Sequence, residues 1–465
     1  MLRRDASRLI LRDCNDEMSN LDSGSDNLDV REVAPTAQLI GNIDIPGDKS
    51  ISHRALMFNS FAEGVANIDG LLQSDDIHST MECLRALDAH ISANERNSFT
   101  VNGRGIRGLR QSESTLDCGN SGTTARLLTG IVSGLGIPSV ISGDESLSTR
   151  PMARIIQPLN RMGVRISGRS SNTLLPLEIS ESPTIQDGLV IETGVASAQV
   201  KSAILLCAVV AGVSVTVIEP RRSRDHSERL LSAMGASLEY FEDDRGHGVR
   251  LLKRTGELRA VDVTVPGDIS TAAPWVAAGV LHDAAEITLK GVGVNPSRTG
   301  IIDILKLMGG NLELKSDRVV GGEPVADLVA RSGKLHGAVI EGDLIPRAID
   351  EIPLVALAAT QAEGETVIHD ASELRAKESD RIDCTVEILT EFGADIDGTA
   401  DGFVIRGPTK LQAATVDSYG DHRLAMLGAV AGLLASGVSQ INGASAVTIS
   451  YPEFWDRLAS LSTTA

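Results

Sequence analysis

The chain has 465 residues, enough for two domains with separate cores, and it is rich in glycine (45) but poor in aromatic residues (3%). A formal net charge of −19 argues against nucleic acid or an anionic membrane as partner, and makes any local cluster of Lys and Arg informative. The cysteines (Cys14, Cys83, Cys118, Cys207 and Cys384) are scattered with no C-x-x-C pair, which suits reduced cytoplasmic thiols better than a disulfide framework or a zinc site.

Residues 1–33 are polar and carry both charge signs, with neither a signal-peptide core nor the acid-poor composition of a transit peptide; they read as a disordered extension. Leu39 to Ile45 reads as a strand. It leads into Pro46-Gly47-Asp48-Lys49-Ser50-Ile51-Ser52-His53-Arg54, a glycine turn that opens an apolar helix. The first amides of a helix are unpaired and carry the positive end of its dipole, so Lys49, Ser50 and Arg54 there mark a candidate anion site. The stretch is not a Walker A loop, because Asp48 stands where that motif needs glycine before the lysine. Its plainer explanation is a capped helix start with solvated charges.

The same kind of segment recurs: a polar start, a mostly apolar helix-forming run, and a closing glycine. The instances are Gly47–Gly64, Gly119–Gly136, Ala196–Gly212, Gly267–Gly279, Ile349–Gly364 and Gly420–Gly437. Between them lie amphipathic helical patterns over Asp75–Ala89, Ser148–Gly163, Ser223–Gly235, Pro296–Gly309 and Lys377–Gly393, with a truncated last one near Tyr451–Leu461. Strand signals bracket them at Ser139–Ser142, Ser214–Ile218, Val261–Val265, Glu286–Leu289 and Glu365–Ile368. Alternation of this kind predicts an α/β protein with mixed sheets covered by helices. Six units divide into two lobes of three, with the break near Val265-Pro266-Gly267; Leu39–Ile45 could belong to either lobe. The apolar run Ala203 to Ile218 is too short to span a membrane and is broken by Gly212.

Positive charge collects at the helix starts. The second unit has Gly119-Asn120-Ser121-Gly122-Thr123-Thr124-Ala125-Arg126, then Arg150-Pro151 at a helix entry. The third has Ser197-Ala198-Gln199-Val200-Lys201 and Ser223-Arg224-Asp225-His226. The fifth has Asp350 and Lys377-Glu378-Ser379-Asp380-Arg381, and the sixth Gly420-Asp421-His422-Arg423. On a continuous helix Lys377 and Arg381 would share a face. Each has a plainer explanation: Arg126 as an interior ion pair, Lys377–Arg381 as a solvated face, His422 as a hydrogen-bonded structural histidine, Cys118 as an inert core thiol. Their equivalent placement in the repeats argues otherwise. Closing the lobes would bring Lys49, Arg54, Arg150, Arg224, Lys377, Arg381 and Arg423 together as uncompensated cations, which implies substrates with several negative charges.

These motifs, in order from about Gln38 to Trp455, resemble the 3-phosphoshikimate 1-carboxyvinyltransferase (EPSP synthase) family, most nearly its second sequence class. The resemblance implies two lobes, each of three βαβαββ repeats, forming the inside-out α/β barrel of the enolpyruvyl transferase fold. It places residues 34–47 and 266–465 in the lobe with the phosphoenolpyruvate-side arginines and the acid/base carboxylates. Residues 48–265 form the lobe with most shikimate 3-phosphate contacts. The implied reaction moves the enolpyruvyl group of phosphoenolpyruvate to the 5-hydroxyl of shikimate 3-phosphate, in a cytoplasmic monomer, without metal or cofactor. Lys49, Ser50, Arg54, Ser197, Gln199, Arg224, Asp350 and Lys377 would hold shikimate 3-phosphate. Lys49, Gly122, Arg150, Gln199, Arg381 and Arg423 would hold phosphoenolpyruvate. Asp350 would take the hydroxyl proton, Glu378 would handle the methylene carbon, and Lys49 would serve both binding and catalysis.

Two departures stand out. Ile449 occupies the place before Ser450-Tyr451-Pro452 where many members carry a lysine, and the tyrosine some members stack near the shikimate ring is absent, with Arg224 its replacement. Gly122, where insensitive members carry alanine, implies space for the inhibitor glyphosate. The alternatives are a UDP-N-acetylglucosamine enolpyruvyl transferase, whose mobile-loop cysteine has no counterpart here, and a non-catalytic anion-binding repeat protein, against which Asp350 and Glu378 both argue.

Overall fold

The computed structural model describes residues 29–94, 97–181 and 184–461. The apolar repeats form the helices Lys49–Phe61, Gly122–Leu135, Ala198–Ala211, Ile269–Leu281, Ile352–Thr360 and His422–Leu434. They are buried almost all round: in Ala198–Ala211 every residue from Val200 to Val210 is buried. Helices without a polar face must sit inside, wrapped by other elements. Gly122–Leu135 and Ala198–Ala211 approach to backbone contact, since a Cβ on Gly130 would lie 2.4 Å from the Ala203 carbonyl oxygen and one on Gly134 2.5 Å from that of Cys207. Only glycine permits this approach.

The amphipathic helices Asp75–Ala86, Ala153–Arg161, His226–Ala233, Gly300–Leu307 and Arg381–Glu391 each bury one face. Four start later than the sequence pattern predicts: those placed from Ser223 and Pro296 begin at His226 and Gly300, and two further delays have a visible cause. Pro151 disfavours helical backbone at the residue before it, so the helix predicted from Ser148 begins at Ala153. The helix predicted from Lys377 begins at Arg381, where the Asp380 carboxylate accepts from the amides of Ile382 and Asp383.

The sheets repeat one pattern. In the second unit Leu116–Asp117 runs parallel to Ser139–Ser142, which pairs antiparallel with Leu174–Ser180, itself antiparallel to Arg165–Gly168. The parallel pair needs a crossover, supplied by a buried helix, and the hairpin returns after the amphipathic helix. The third and fifth units repeat this order.

The first and fourth units exchange strands. Leu39–Asp44 pairs in parallel with Ala285–Gly293 in the second lobe, which resolves its ambiguity, and Val263–Thr264 pairs in parallel with Glu63–Asp69 in the first. The chain therefore crosses between lobes at Pro46-Gly47-Asp48 and again at Pro266-Gly267-Asp268. The crossings are tied together: the Asp48 amide donates to the Pro266 carbonyl at 2.8 Å and the Asp268 amide to that of Pro46 at 2.9 Å. Buried apolar residues fall into two clusters. One runs from Ile51 to Val265; the other joins Val33, Leu39 and Ile43 to residues between Ile269 and Leu461.

The disordered extension predicted over residues 1–33 does not run to residue 33. Val30–Val33 is a strand paired antiparallel with Ser439–Asn442, completing the sheet of the sixth unit, and Val33 is buried. Residues 1–28 lie outside the described residues.

Candidate active site

Helix starts from both lobes converge on one cavity of about 530 Å³. Asp48, Ser121, Asp268 and Asp421 each cap such a start, accepting a hydrogen bond from a first-turn amide. The cap fixes where the next side chains emerge. Lys49, Ser50, Arg54, Gly122, Arg150, Ser197, Gln199, Arg224, Asp350, Lys377, Glu378, Arg381 and Arg423 all line the cavity. Ile449 lines it too, where a lysine would have added another charge. Lys201 does not; it is buried behind the cavity wall, 2.8 Å from both Glu219 and Glu228.

The cations are paired, contrary to the expectation of uncompensated charge. Asp350 receives Arg224 at 2.7 Å, Lys377 at 3.2 Å and Arg381 at 3.3 Å. Arg381, 1% exposed, also bonds Glu378 at 2.7 Å and Asp421 at 2.8 Å. Lys49 bonds Asp76 at 3.1 Å; Arg150 lies 3.8 Å from Glu378, and Arg423 3.6 Å from Glu351. A chain of net charge −19 keeps its basic cleft together by interleaving carboxylates at nearly every cation.

Lys377 and Arg381 do not form a helical pair. Lys377 is extended, just past the short helical turn Ser372–Ala376, and Arg381 opens the next helix. Both nevertheless reach the same Asp350 oxygen. Arg126, for which an interior ion pair is the plainer explanation, instead donates to Gln199 Oε1 at 2.6 Å and to the Pro151 carbonyl at 3.4 Å. Burial, with Arg154 and Arg150 nearby, pushes it down to about 9. His422 lines the cavity, and neither ring nitrogen has a hydrogen-bond partner among the described residues, so the plainer explanation of a hydrogen-bonded structural histidine does not hold. Burial and Arg423 push it down to about 3, which leaves a neutral ring. Cys118 is fully buried, and contact with Cys83 together with burial raises its thiol well above the ordinary value. Both features agree with the plainer explanation of a core thiol.

The field on the carboxylates is strong. Burial alone would raise Asp350, but Lys377, Arg224, Arg423 and Arg381 hold it well below the usual carboxylate range. Burial likewise opposes ionisation of Glu378, and Arg381, Lys377 and Arg150 overcome it. Lys49 is held above its ordinary value, since Asp76 and Glu378 outweigh its burial.

Asp76, Arg154, Ser223 and Arg298, to which the sequence assigned no role, also stand at the cavity wall. Ser223 belongs to the quoted segment that holds Arg224, and Asp76 lies at the start of a predicted helix. Arg298 gave no local signal. It bonds Asp268 at 3.1 Å and lies 3.8 Å from Asp48, a position set only when the two lobe crossings meet.

Residues 33–458 match the sequence family described as EPSP synthase (3-phosphoshikimate 1-carboxyvinyltransferase). A protein of that name from Prochlorococcus marinus is 49% identical over 433 residues, covering 93% of this chain and 97% of the relative. A solved structure of EPSP synthase from Acinetobacter baumannii superposes with a TM-score of 0.84 at 38% identity, covering 94% of this chain and 99% of that one. The enolpyruvyl transferase NikO from Streptomyces tendae shares the fold, with a TM-score of 0.72 at 18% identity and coverage of 93% and 97%. With its motifs in order, its helix starts converging on one cleft and its full-length similarity to these proteins, the chain belongs to the EPSP synthase family.

Proposed function

We propose that the chain transfers the enolpyruvyl group of phosphoenolpyruvate to the 5-hydroxyl of shikimate 3-phosphate, releasing phosphate, in the shikimate pathway of aromatic amino-acid biosynthesis. The observation that carries this is one cavity in which Asp350 and Glu378 are ringed by cations from both lobes. Attack at C2 of an enol ether needs a proton delivered to C3 and another removed from the hydroxyl, which calls for two carboxyl groups with separate tasks. Asp350 takes the hydroxyl proton; Glu378 exchanges a proton with the methylene carbon; Lys49 neutralises charge between them.

Shikimate 3-phosphate is held by Lys49, Ser50, Arg54, Ser197, Gln199, Arg224, Asp350 and Lys377. Phosphoenolpyruvate is held by Lys49, Gly122, Arg150, Gln199, Arg381 and Arg423. Without substrate, the cations leave both carboxylates poor bases. Substrate phosphates and carboxylate share those cations on binding, so each carboxyl's proton affinity rises when the reactants arrive. The first lobe, 48–265, supplies most shikimate 3-phosphate contacts. The second, 34–47 with 266–465, supplies both catalytic carboxylates and the arginines Arg381 and Arg423; Arg150 reaches across from the first. A site complete within one chain supports a monomer. Free buried Cys83, Cys118 and Cys207, with no membrane-crossing helix among the described residues, fit a cytoplasmic setting.

The test is phosphate release from phosphoenolpyruvate with each acceptor. Shikimate 3-phosphate should support turnover and UDP-N-acetylglucosamine should not. Release with the nucleotide sugar alone, or with neither, would contradict the assignment.

A further inference from the structure

The two lobes bury separate apolar clusters, and the chain passes between them at Pro46-Gly47-Asp48 and Pro266-Gly267-Asp268. Lobes joined in this way, without a shared core, move relative to one another unless other contacts hold them. The contacts across this boundary are polar. Arg224 meets Asp350, Arg150 lies near Glu378, and Arg154 is 3.8 Å from Glu373, all of them groups that line the cavity. Another bridge has neither partner in the cavity lining. Arg221, two residues past the first-lobe strand Val215–Glu219, reaches Asp370, two residues past the second-lobe strand Gly364–Ile368. Arg221 Nη1 donates to Asp370 Oδ2 at 3.0 Å and to the Gly342 carbonyl at 3.1 Å, and its Nη2 lies 3.0 Å from the same Asp370 oxygen.

Both ends of this bridge are anchored within their own lobes. Asp370 Oδ2 accepts from the Gly342 amide at 3.0 Å, and the Asp370 amide donates to Asp401 at 2.8 Å. The Gly342 amide and Arg221 hold the Asp370 carboxyl below its ordinary value, so it is ionised at neutral pH. Carboxylate and carbonyl thus stand together in the second lobe, ready for a guanidinium. In the first lobe Glu219, which ends the strand before Arg221, is fixed by the buried Lys201 at 2.8 Å. Further along the same two segments, Arg224 and Lys377 both reach Asp350. The bridge therefore joins the segments whose next cations meet at the proposed base. Arg221 and Asp370 are 39% and 40% exposed, and an exposed pair adds little to folding stability. Its ends belong to different lobes, however, so it exists only while the lobes are closed, and a small contribution is enough to shift the ratio of closed to open chain.

We propose that Arg221 and the paired Asp370 and Gly342 form a clasp beside the cleft that holds the lobes closed before substrate arrives, and so sets how much of the ligand-free chain is ready to bind; this rests on the reading of the cleft as the substrate site. Arg221 is a positioning residue, acting on the groups inside the cleft through the closure of the lobes. A ligand that needs the closed arrangement binds more weakly in proportion as the closed fraction falls. Salt screens an exposed pair, so it loosens the clasp.

The test compares Arg221→Gln with the wild-type full chain, by small-angle X-ray scattering without ligand and by titration with shikimate 3-phosphate. The substitution should enlarge the ligand-free radius of gyration and weaken shikimate 3-phosphate about two- to five-fold at low salt, the range for one exposed ion pair. The two affinities should converge as salt is raised to about 1 M, and kcat at saturating substrates should be unchanged. Asp370→Asn keeps an acceptor for the Gly342 amide and should reproduce both effects, with the double variant no weaker than either single one. Weaker binding without expansion would place the effect on the adjacent Arg224, and expansion without weaker binding would separate the clasp from recognition. Either overturns the proposal, as do additive losses in the double variant or no effect at all. Should Arg221→Gln fail to fold, Asp370→Asn alone carries the comparison. A wild-type chain that does not bind shikimate 3-phosphate overturns the functional reading instead, while the scattering comparison still decides whether the clasp holds the lobes.

Discussion

Asp350 concentrates the chemistry at the scale of single residues. Three cationic groups bond it, from both lobes, so its substitution acts on proton transfer and on the local field together. Asp350→Asn should lower kcat by about 10²–10⁴-fold, the usual contribution of a positioned base, as read by phosphate release. Unchanged turnover would remove Asp350 from the role of base. Arg381 carries a different burden. Replacing it with methionine leaves the fully buried Asp421 without its counter-charge, at a cost of about 3–5 kcal/mol in denaturant unfolding. Gly122 is held by space: a Cβ there would lie 2.9 Å from an Arg126 guanidinium nitrogen, the far end of a flexible side chain. Gly122→Ala should therefore fold normally while displacing that guanidinium. The expected outcome is a raised KM for phosphoenolpyruvate and weakened competition by glyphosate in steady-state kinetics.

Helix packing and helix starts decide matters at the scale of elements. Gly130→Ala pushes a methyl into the Ala203 backbone, which cannot yield as a side chain can. It should destabilise the chain by about 1–3 kcal/mol, seen as an earlier unfolding midpoint with unchanged slope. The helices themselves were legible because hydrophobic runs, polar starts and closing glycines are local signals. Their exact starts were less so. Pro151 and Asp380 each delay a helix by a few residues, and that delay moves Lys377 off the helix on which spacing alone would place it. The strand Val30–Val33 went unread because its partner, Ser439–Asn442, lies at the other end of the chain. Edge strands with remote partners carry little local pattern.

Across the whole molecule, the residues that line the cleft could be named from the sequence because motifs at repeated helix starts mark them. Other charged groups of the network could not. Asp76, Glu351 and Arg298 acquire their roles only when elements far apart in the chain meet. The same network sets the acid stability. Glu378, Asp350, Asp421 and Asp76 are all held below their ordinary values, despite burial, by Arg381, Lys377 and Lys49 among others. A depressed carboxylate contributes stability above its unfolded value of about 4 and loses it as pH falls through the folded value. Unfolding free energy should stay nearly flat from about pH 7 to 5 and fall steadily below about pH 4. A fall beginning near neutrality would show that these carboxylates are not held as described.

The central claim is that basic helix starts from two lobes meet around one pair of phosphorylated acids. A crystal structure of the chain with shikimate 3-phosphate and glyphosate tests it most directly. The expected result is both ligands in the one cleft, with Lys49, Arg54 and Arg224 on the first, Arg150, Arg381 and Arg423 on the second, and Asp350 beside the 5-hydroxyl. Ligands bound to one lobe alone, or with Asp350 remote from that hydroxyl, would contradict it.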